Sequence, residues 1–355
     1  MKLLHILITL SINYLLVFGY GESDSQNNPN HYERESFNLI NLVRMFPTQY
    51  ANTYMTGYTN LNLMFTTYKP TTPIYLNNTL NRMSKAHSYD MSTNNCFSHN
   101  DCVNGSSTSA RFSRWTSCTG SGWGENIAAG SSTGIAANNL LICDATSGNA
   151  CSADGSGYDG HRKNLMNANY KVAGVGYYYT STSTYKHYWT QDLTGGTCNN
   201  PTGPIYSGYH TFFPSTNPQF IVNFYSKTLS TSTMSLVFVG GSTVSMTRAY
   251  GNDTFAVYTY TPTSFTVCAK YYFTTTTTSG ATYRYPDTGS LQISKDTTCN
   301  SWTSSTTASS AINNLMAEEN IVYNDIENQT NNSLSLIQQS TTLLFLLLSV
   351  FYLFL

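Results

Sequence analysis

Eight cysteines constrain this chain more than any other feature: Cys96, Cys102, Cys118, Cys143, Cys151, Cys198, Cys268 and Cys299. Their number is even, and no CxxC repeat or Cys/His zinc spacing is present. In a secreted chain such a set reads as disulfides. Sequence does not dictate the connectivity, although proximity suggests Cys143–Cys151 and Cys268–Cys299. All eight fall between two apolar ends. Residues 1–21 read as a secretory signal: Lys2, an apolar stretch from Leu3 to Phe18, then Gly19-Tyr20-Gly21 at the cleavage positions. Residues 343–355, LLFLLLSVFYLFL, close the chain and are shorter than the ~20 residues a spanning helix needs. Small polar residues and a short spacer precede them, which is the order of a glycosylphosphatidylinositol attachment signal. Asn331 is the expected attachment residue, with Asn328 and Asn332 as rivals, and a short transmembrane tail is the alternative.

Composition supports an exported protein. Of 355 residues only 10% are charged, against about 25% in an ordinary soluble protein. Seventeen basic and eighteen acidic residues leave a net charge of -1, which excludes a basic nucleic-acid binder. Aromatic residues make up 14%, so core-formers are plentiful. Glycosylation sequons begin at Asn77, Asn104, Asn252, Asn328 and Asn331. Outside the cell, Ser, Thr, Asn, Tyr and attached sugar can wet a surface that carries little charge.

Periodicity divides the mature chain in two. Phe37, Ile40, Val43 and Arg44 recur at near-helical spacing from about Glu33, and Pro47 ends that helix. A second helix fits Asn78 to Met91, and a third Gly134 to about Asp144. Cys96 to Gly124 reads as a loop. Strands fit Ala173 to Tyr179, with close backbone contacts at its glycines, and His187 to Leu193. Beyond residue 200 prolines mark a boundary. Alternating runs then follow at Phe220–Tyr225, Met234–Val239, Thr254–Tyr260, Phe265–Tyr271 and Ser290–Ile293, the pattern of a small antiparallel sandwich. Thr274 to Thr278 reads as a solvated turn or a site for O-linked sugar.

Because ionisable groups are scarce, their clusters are informative. Five phrases stand out in order: Ala86-His87-Ser88-Tyr89-Asp90-Met91, Phe97-Ser98-His99, Gly124-Glu125-Asn126-Ile127-Ala128, Gly160-His161-Arg162, and Val172-Ala173-Gly174-Val175-Gly176, with Tyr188-Trp189-Thr190-Gln191 closing the run. Together they resemble the CAP or SCP domain of the cysteine-rich secretory, antigen 5 and pathogenesis-related 1 proteins, over residues 33–195. The resemblance implies an α+β fold: a three-layer α-β-α sandwich, here followed by a small β-sandwich-like domain at 201–300, a polar stalk at 301–331 and the anchor signal at 332–355. It also implies a cleft with two His and two acids, which map to His99, Glu125 and His161, with Asp144 in the fourth place. There the family usually has Glu after a Trp, and here Leu141 takes the Trp position. Two imidazoles and two carboxylates suit Zn²⁺ or another divalent cation, or can satisfy one another by hydrogen bonds. His87 reads as a helix-packing residue, with Asp90 accepting from the following loop. Arg162 reads as an anchor for a loop carboxylate or carbonyl.

No nucleophile stands out. There is no GxSxG elbow, and oxidised cysteines offer no thiol. The expected function is an extracellular, membrane-anchored binding or recognition module for a lipid, sterol, peptide or glycan, held at the outer face of the plasma membrane, with no nucleic-acid partner. The alternatives are a metal-dependent hydrolase, with Glu125 as general base to a metal-bound water, and a structural coat protein whose tetrad is inert.

Overall fold

The computed structural model describes residues 29–115, 118, 122–145, 148–196, 198, 203–294, 299 and 302–303. The segments read as leader and C-terminal tail, and the segment read as stalk apart from Trp302–Thr303, lie outside the described residues, as do Asn328 and Asn331. The chain divides into two compact units at Ser304/Ser305, and every described residue belongs to the first.

The first helix, α1 (His31–Met45), starts on a capping box. The Asn30 side chain accepts from the Glu33 N–H at 3.0 Å, and the Glu33 carboxylate accepts from the Asn30 N–H at 2.9 Å. Pro47 opens a short second helix, α2 (Pro47–Tyr54), as suits a residue whose missing N–H is not needed there. Helix α3 (Asn78–Thr93) is capped by the Asn77 side chain, which accepts from the Leu80 N–H at 3.0 Å. Between α3 and the first long strand the chain is not all loop. Helix α4 (Thr108–Trp115) forms there, and its fully buried Arg111 is a residue that a Ser/Thr-rich reading of the segment conceals. Helices α5 (Gly134–Cys143) and α6 (Gly160–Leu165) follow.

The central sheet has the order β1-β3-β4-β2, built from β1 (Tyr75–Leu76), β2 (Trp123–Ala129), β3 (Val172–Tyr179) and β4 (His187–Thr194). Strand β1 runs parallel to β3, and the other pairings are antiparallel. Helix α3 lies across one face of this sheet, and α1 and α5 cover the other, so the expected α-β-α sandwich forms. The glycines of β3 set the helix–sheet spacing. A Cβ on Gly174 would stand 2.1 Å from the Leu80 carbonyl carbon, and one on Gly176 2.1 Å from the Lys85 nitrogen. Only glycine admits the α3 backbone this close.

The β-rich region after residue 200 contains two antiparallel sheets. One has the order β5-β6-β10-β9, from β5 (Ile205–Thr211), β6 (Gln219–Tyr225), β9 (Thr247–Gly251) and β10 (Phe255–Tyr260). The other has the order β14-β13-β11-β7-β8, from β7 (Thr231–Phe238), β8 (Thr243–Ser245), β11 (Lys270–Thr277), β13 (Ser290–Gln292) and β14 (Trp302–Thr303), with β12 (Thr282–Tyr285) paired to β11. Alternation along β6 decides how this region attaches to the rest. Phe220, Val222 and Phe224 join the core between the two sheets, whereas Ile221 joins the core built around α1. Helix α1 is therefore covered on nearly every side, and its polar residues have partners. Asn41 donates to the Ile74 carbonyl at 2.9 Å and to Ser207 Oγ at 3.0 Å. Asn223 donates to Asn38 Oδ1 at 2.9 Å.

Two sequence expectations shift here. Thr274–Thr277 is not a turn but the second half of β11, with Thr275 and Thr277 buried and Thr275 Oγ1 2.7 Å from Thr231 Oγ1. The strand read at Phe265–Tyr271 accordingly starts later, at Lys270. All eight cysteines pair, as Cys96–Cys102, Cys118–Cys198, Cys143–Cys151 and Cys268–Cys299, including both pairs that proximity suggests.

Candidate functional site

Strand β2 is the edge of the central sheet, and the four predicted residues are distributed around it. Successive residues of a strand point to opposite faces. Glu125 points to the α3 face, and Asn126 to the face covered by α1 and α5.

On the α3 side Glu125 is buried, and its acceptor capacity is used. Oε1 accepts from His99 Nδ1 at 2.7 Å and from Thr108 Oγ1 at 2.9 Å, and Oε2 takes the Arg111 guanidinium. Burial raises the Glu125 carboxyl, but the His99 hydrogen bond and the Arg111 charge outweigh it and hold it below the ordinary value. His99 rides on the loop that the Cys96–Cys102 disulfide ties to the end of α3. Its carbonyl accepts from Arg111 Nη1 at 2.9 Å, and its side chain is 54% exposed. Arg111 thus positions both members of this pair.

On the other side Asp144 occupies the left-handed C-cap of α5, with φ of 49°. That conformation turns the carboxylate toward the start of α6. Oδ1 accepts from His161 Nδ1 at 2.5 Å, and Oδ2 accepts from the backbone N–H groups of His161 and Arg162 at 3.0 and 3.1 Å. Arg162 is fully buried and does the anchoring its sequence position suggested. It pairs with Asp154 at 2.8 Å and donates to the carbonyls of Ile142 and Ser152 at 2.6 and 2.7 Å. The insertion closed by Cys143–Cys151 is thereby pinned to α5. Asn126 Nδ2 donates to the His161 carbonyl at 3.3 Å, and Asn126 Oδ1 accepts from Asn164 Nδ2 at 2.9 Å, which fastens α6 to β2.

The four residues therefore form two imidazole–carboxylate pairs that straddle one strand. In each pair Nδ1 faces the carboxylate, and a neutral ring then presents its Nε2 lone pair. That arrangement fits a divalent cation in kind: imidazole nitrogens as ligands, carboxylates as orienting partners. Among the described residues, however, a different set brings three ligand atoms within 4.8 Å of one another: His87, Asp90 and Asp101.

Sequence reasoning passed over Asp192. It faces Glu125 across the β2–β4 ladder, is fully buried, and shares a hydrogen bond of 2.7 Å with Ser84 Oγ. Burial and the neighbouring Glu125 push its carboxyl well above the ordinary value. Only the strand register reveals the juxtaposition.

A cavity of about 570 Å³ opens beside the second pair, with Asp144 and His161 in its wall. Ile127, Ala128 and Leu141 supply apolar surface. Phe97, Leu140, Tyr158 and Tyr185 also line it, and these four belong to the ten large apolar side chains that the described residues leave exposed. His99 and Glu125 do not line it.

Residues 37–193 match the model of the CAP family, described as the cysteine-rich secretory protein family. The chain therefore carries a CAP domain, with the β-rich region after it. Among solved structures, an extracellular protein containing an SCP domain from Bacillus anthracis str. Ames aligns at 27% identity with a TM-score of 0.27. That alignment covers 38% of this chain and 37% of the other, so it spans a little over a third of that protein. No curated protein matches.

Proposed function

We propose that this CAP-domain protein is an extracellular binding module that takes an apolar or amphipathic small molecule, a lipid or sterol, in the cavity beside His161 and Asp144. The observation that carries this reading is the concentration of exposed apolar side chains at one polar pair. Scattered exposed apolar residues mean little, but a contiguous patch around a concavity is the usual form of a ligand site. The apolar wall would take the hydrocarbon, and His161 Nε2, oriented by Asp144, would accept from a hydroxyl or hold a divalent cation. In this reading a cation uses His99 and His161 as imidazole ligands, with Glu125 and Asp144 behind them.

A fluorescent sterol and a fluorescent fatty acid serve as probes. Leu140→Asp puts a charge on an exposed wall residue, and Tyr158→Ala removes the most exposed ring. Each is expected to weaken probe binding at least tenfold, about 1.4 kcal/mol. Equal affinity in wild type and both variants would sink the reading. The hydrolase alternative has less support, because Glu125 is buried with both oxygens engaged.

The same proposal places the protein at the outer face of the plasma membrane through a lipid attached at Asn331, in agreement with the disulfide-rich composition. Among the described residues no helix is long and apolar enough to cross a membrane. Phosphatidylinositol-specific phospholipase is expected to release the protein from cells. Retention after complete digestion would instead favour the apolar tail as the anchor.

A further inference from the structure

Beneath the His99 loop, three acceptors converge where the sequence suggested only helix packing. His87 and Asp90 lie one turn apart on α3, and the disulfide-closed loop returns Asp101 to them. The His87 side chain is 0% exposed. Its Nε2 lies 3.0 Å from the Ser98 carbonyl, which can only accept, so Nε2 carries the proton. A neutral ring then turns the bare lone pair of Nδ1 toward Asp101 Oδ1 at 3.3 Å, and Nδ1 has no hydrogen-bond partner. At that distance an aligned N–H would reach the oxygen, so Oδ1 must lie off the axis of Nδ1. A carboxylate oxygen of Asp90 completes a set in which all three ligand atoms lie within 4.8 Å.

We propose that His87, Asp90 and Asp101 bind a divalent cation of the zinc or manganese kind. The facing acceptors of His87, Asp90 and Asp101 favour a positive charge among them, in addition to the Arg111 and Arg114 guanidiniums that pair with Asp101. The spacing is compatible with an ion: ligands about 2.0–2.2 Å from a tetrahedral centre stand about 3.3–3.6 Å apart, His87 Nδ1 and Asp101 Oδ1 stand 3.3 Å apart, and all three ligand atoms lie within 4.8 Å. One imidazole with two carboxylates is a donor set for such ions. Neighbouring donors already orient the ligands. Asp90 accepts from the Cys102 N–H at 2.5 Å and from Asn94 Nδ2 at 2.9 Å. Asp101 accepts from Arg111 Nη1 at 2.8 Å and Arg114 Nη2 at 3.3 Å. Those bonds hold the carboxylates in place much as outer partners do around metal centres. Asp90 is half-buried and provides the route in. An ion here would cross-link α3 to the loop carrying His99, and so stiffen one side of the site described above.

The test is calorimetric titration of the chelator-treated full-length protein with Zn²⁺ and with Mn²⁺. The background is a His99→Ala/His161→Ala double variant, which removes the other candidate imidazoles and so separates this site from the proposed cleft cation. One equivalent of either ion is expected to bind and to raise the midpoint of thermal unfolding. Asp90→Asn, at the most accessible ligand, is expected to weaken binding at least tenfold while the fold survives, and His87→Gln to abolish it. Absence of uptake in the double variant would overturn the proposal, as would uptake that Asp90→Asn leaves unchanged. Wild-type protein that takes up no metal, with His87 doubly protonated by nitrogen-detected NMR, would assign the missing charge to a proton instead.

Discussion

Acidification from pH 7 to 4 is expected to remove on the order of 5 kcal/mol of stability through two buried histidines, His31 and His210. His31 begins α1 and His210 lies on β5, so the pair bridges the CAP domain and the β-rich region with ring centroids 5.8 Å apart. Burial pulls His31 down to about 4 and His210 to about 3, His210 further because His31 stands beside it. Both rings are therefore neutral in the folded protein. In the unfolded chain they titrate near 6.5. Below that pH the unfolded state takes up protons that the folded state refuses. The stabilisation is complete above about pH 6.5 and is lost as pH falls toward 4 and 3. The facing groups offer little compensation. Tyr209 and Tyr271 hydrogen-bond the rings, Arg34 and Tyr285 lie close to Tyr271, and no carboxylate among the described residues hydrogen-bonds either ring. Glu35 and Asp192, whose carboxyls are raised by burial, act in the opposite sense, and Asp101 and Glu125, whose carboxyls are lowered, act in the same sense. Comparison of wild type with His210→Gln and His31→Asn isolates the histidine contribution. Denaturant unfolding between pH 7 and 4 should show a shallower pH dependence in each variant. Parallel curves would exclude the histidines as its source.

Glu125→Ala is expected to cost about 3–5 kcal/mol, because it leaves Arg111 buried with one of its two carboxylate partners gone. Arg111 is only 2% exposed and joins Glu125, Asp101 and the His99 carbonyl. The penalty comes less from the lost attraction than from the uncompensated charge left behind. The two explanations predict different double variants. If the stranded charge dominates, Glu125→Leu with Arg111→Met together should be more stable than either alone, since well-packed apolar residues commonly replace a buried ion pair at little cost. Unfolding midpoints of the three proteins measure this. A double variant as damaged as the sum of the singles would show that the two residues act independently, and would exclude the stranded charge as the source of the loss. Proton NMR of His99 adds an independent readout: loss of Glu125 should free the ring, whereas Glu125→Gln should keep its position.

The parts of the fold legible in the sequence are those set by neighbours along the chain. The helices that start near Glu33 and Asn78 were legible because the periodicity of apolar residues acts over a few turns. Gly174 and Gly176 announce a close backbone approach because no other residue permits it. His99, Glu125 and His161 were visible because each sits in a short phrase against a background with little charge. Helix α4 was not visible, since its turns carry Ser, Thr and Arg whose purpose is to meet Glu125 and Asp101. The threonine run of β11 was misread for the same reason: Thr275 and Thr277 are buried by pairing with β7, and composition alone says only that they are polar.

What the sequence determined on its own is the inventory. It holds eight cysteines that all pair, a CAP-type set of histidines and acids, and alternating strands after residue 200. The tertiary structure decided how the inventory is used. Register put Asp192 opposite Glu125, and the left-handed end of α5 aimed Asp144 at His161. The disulfide loop brought Asp101 back to His87, and β6 laid Ile221 on α1 so that the β-rich region shares the core of the CAP domain. Each of these contacts joins residues distant along the chain. Local preference and periodicity act over a few residues, whereas the charge balance of a buried site depends on which distant groups the fold brings together.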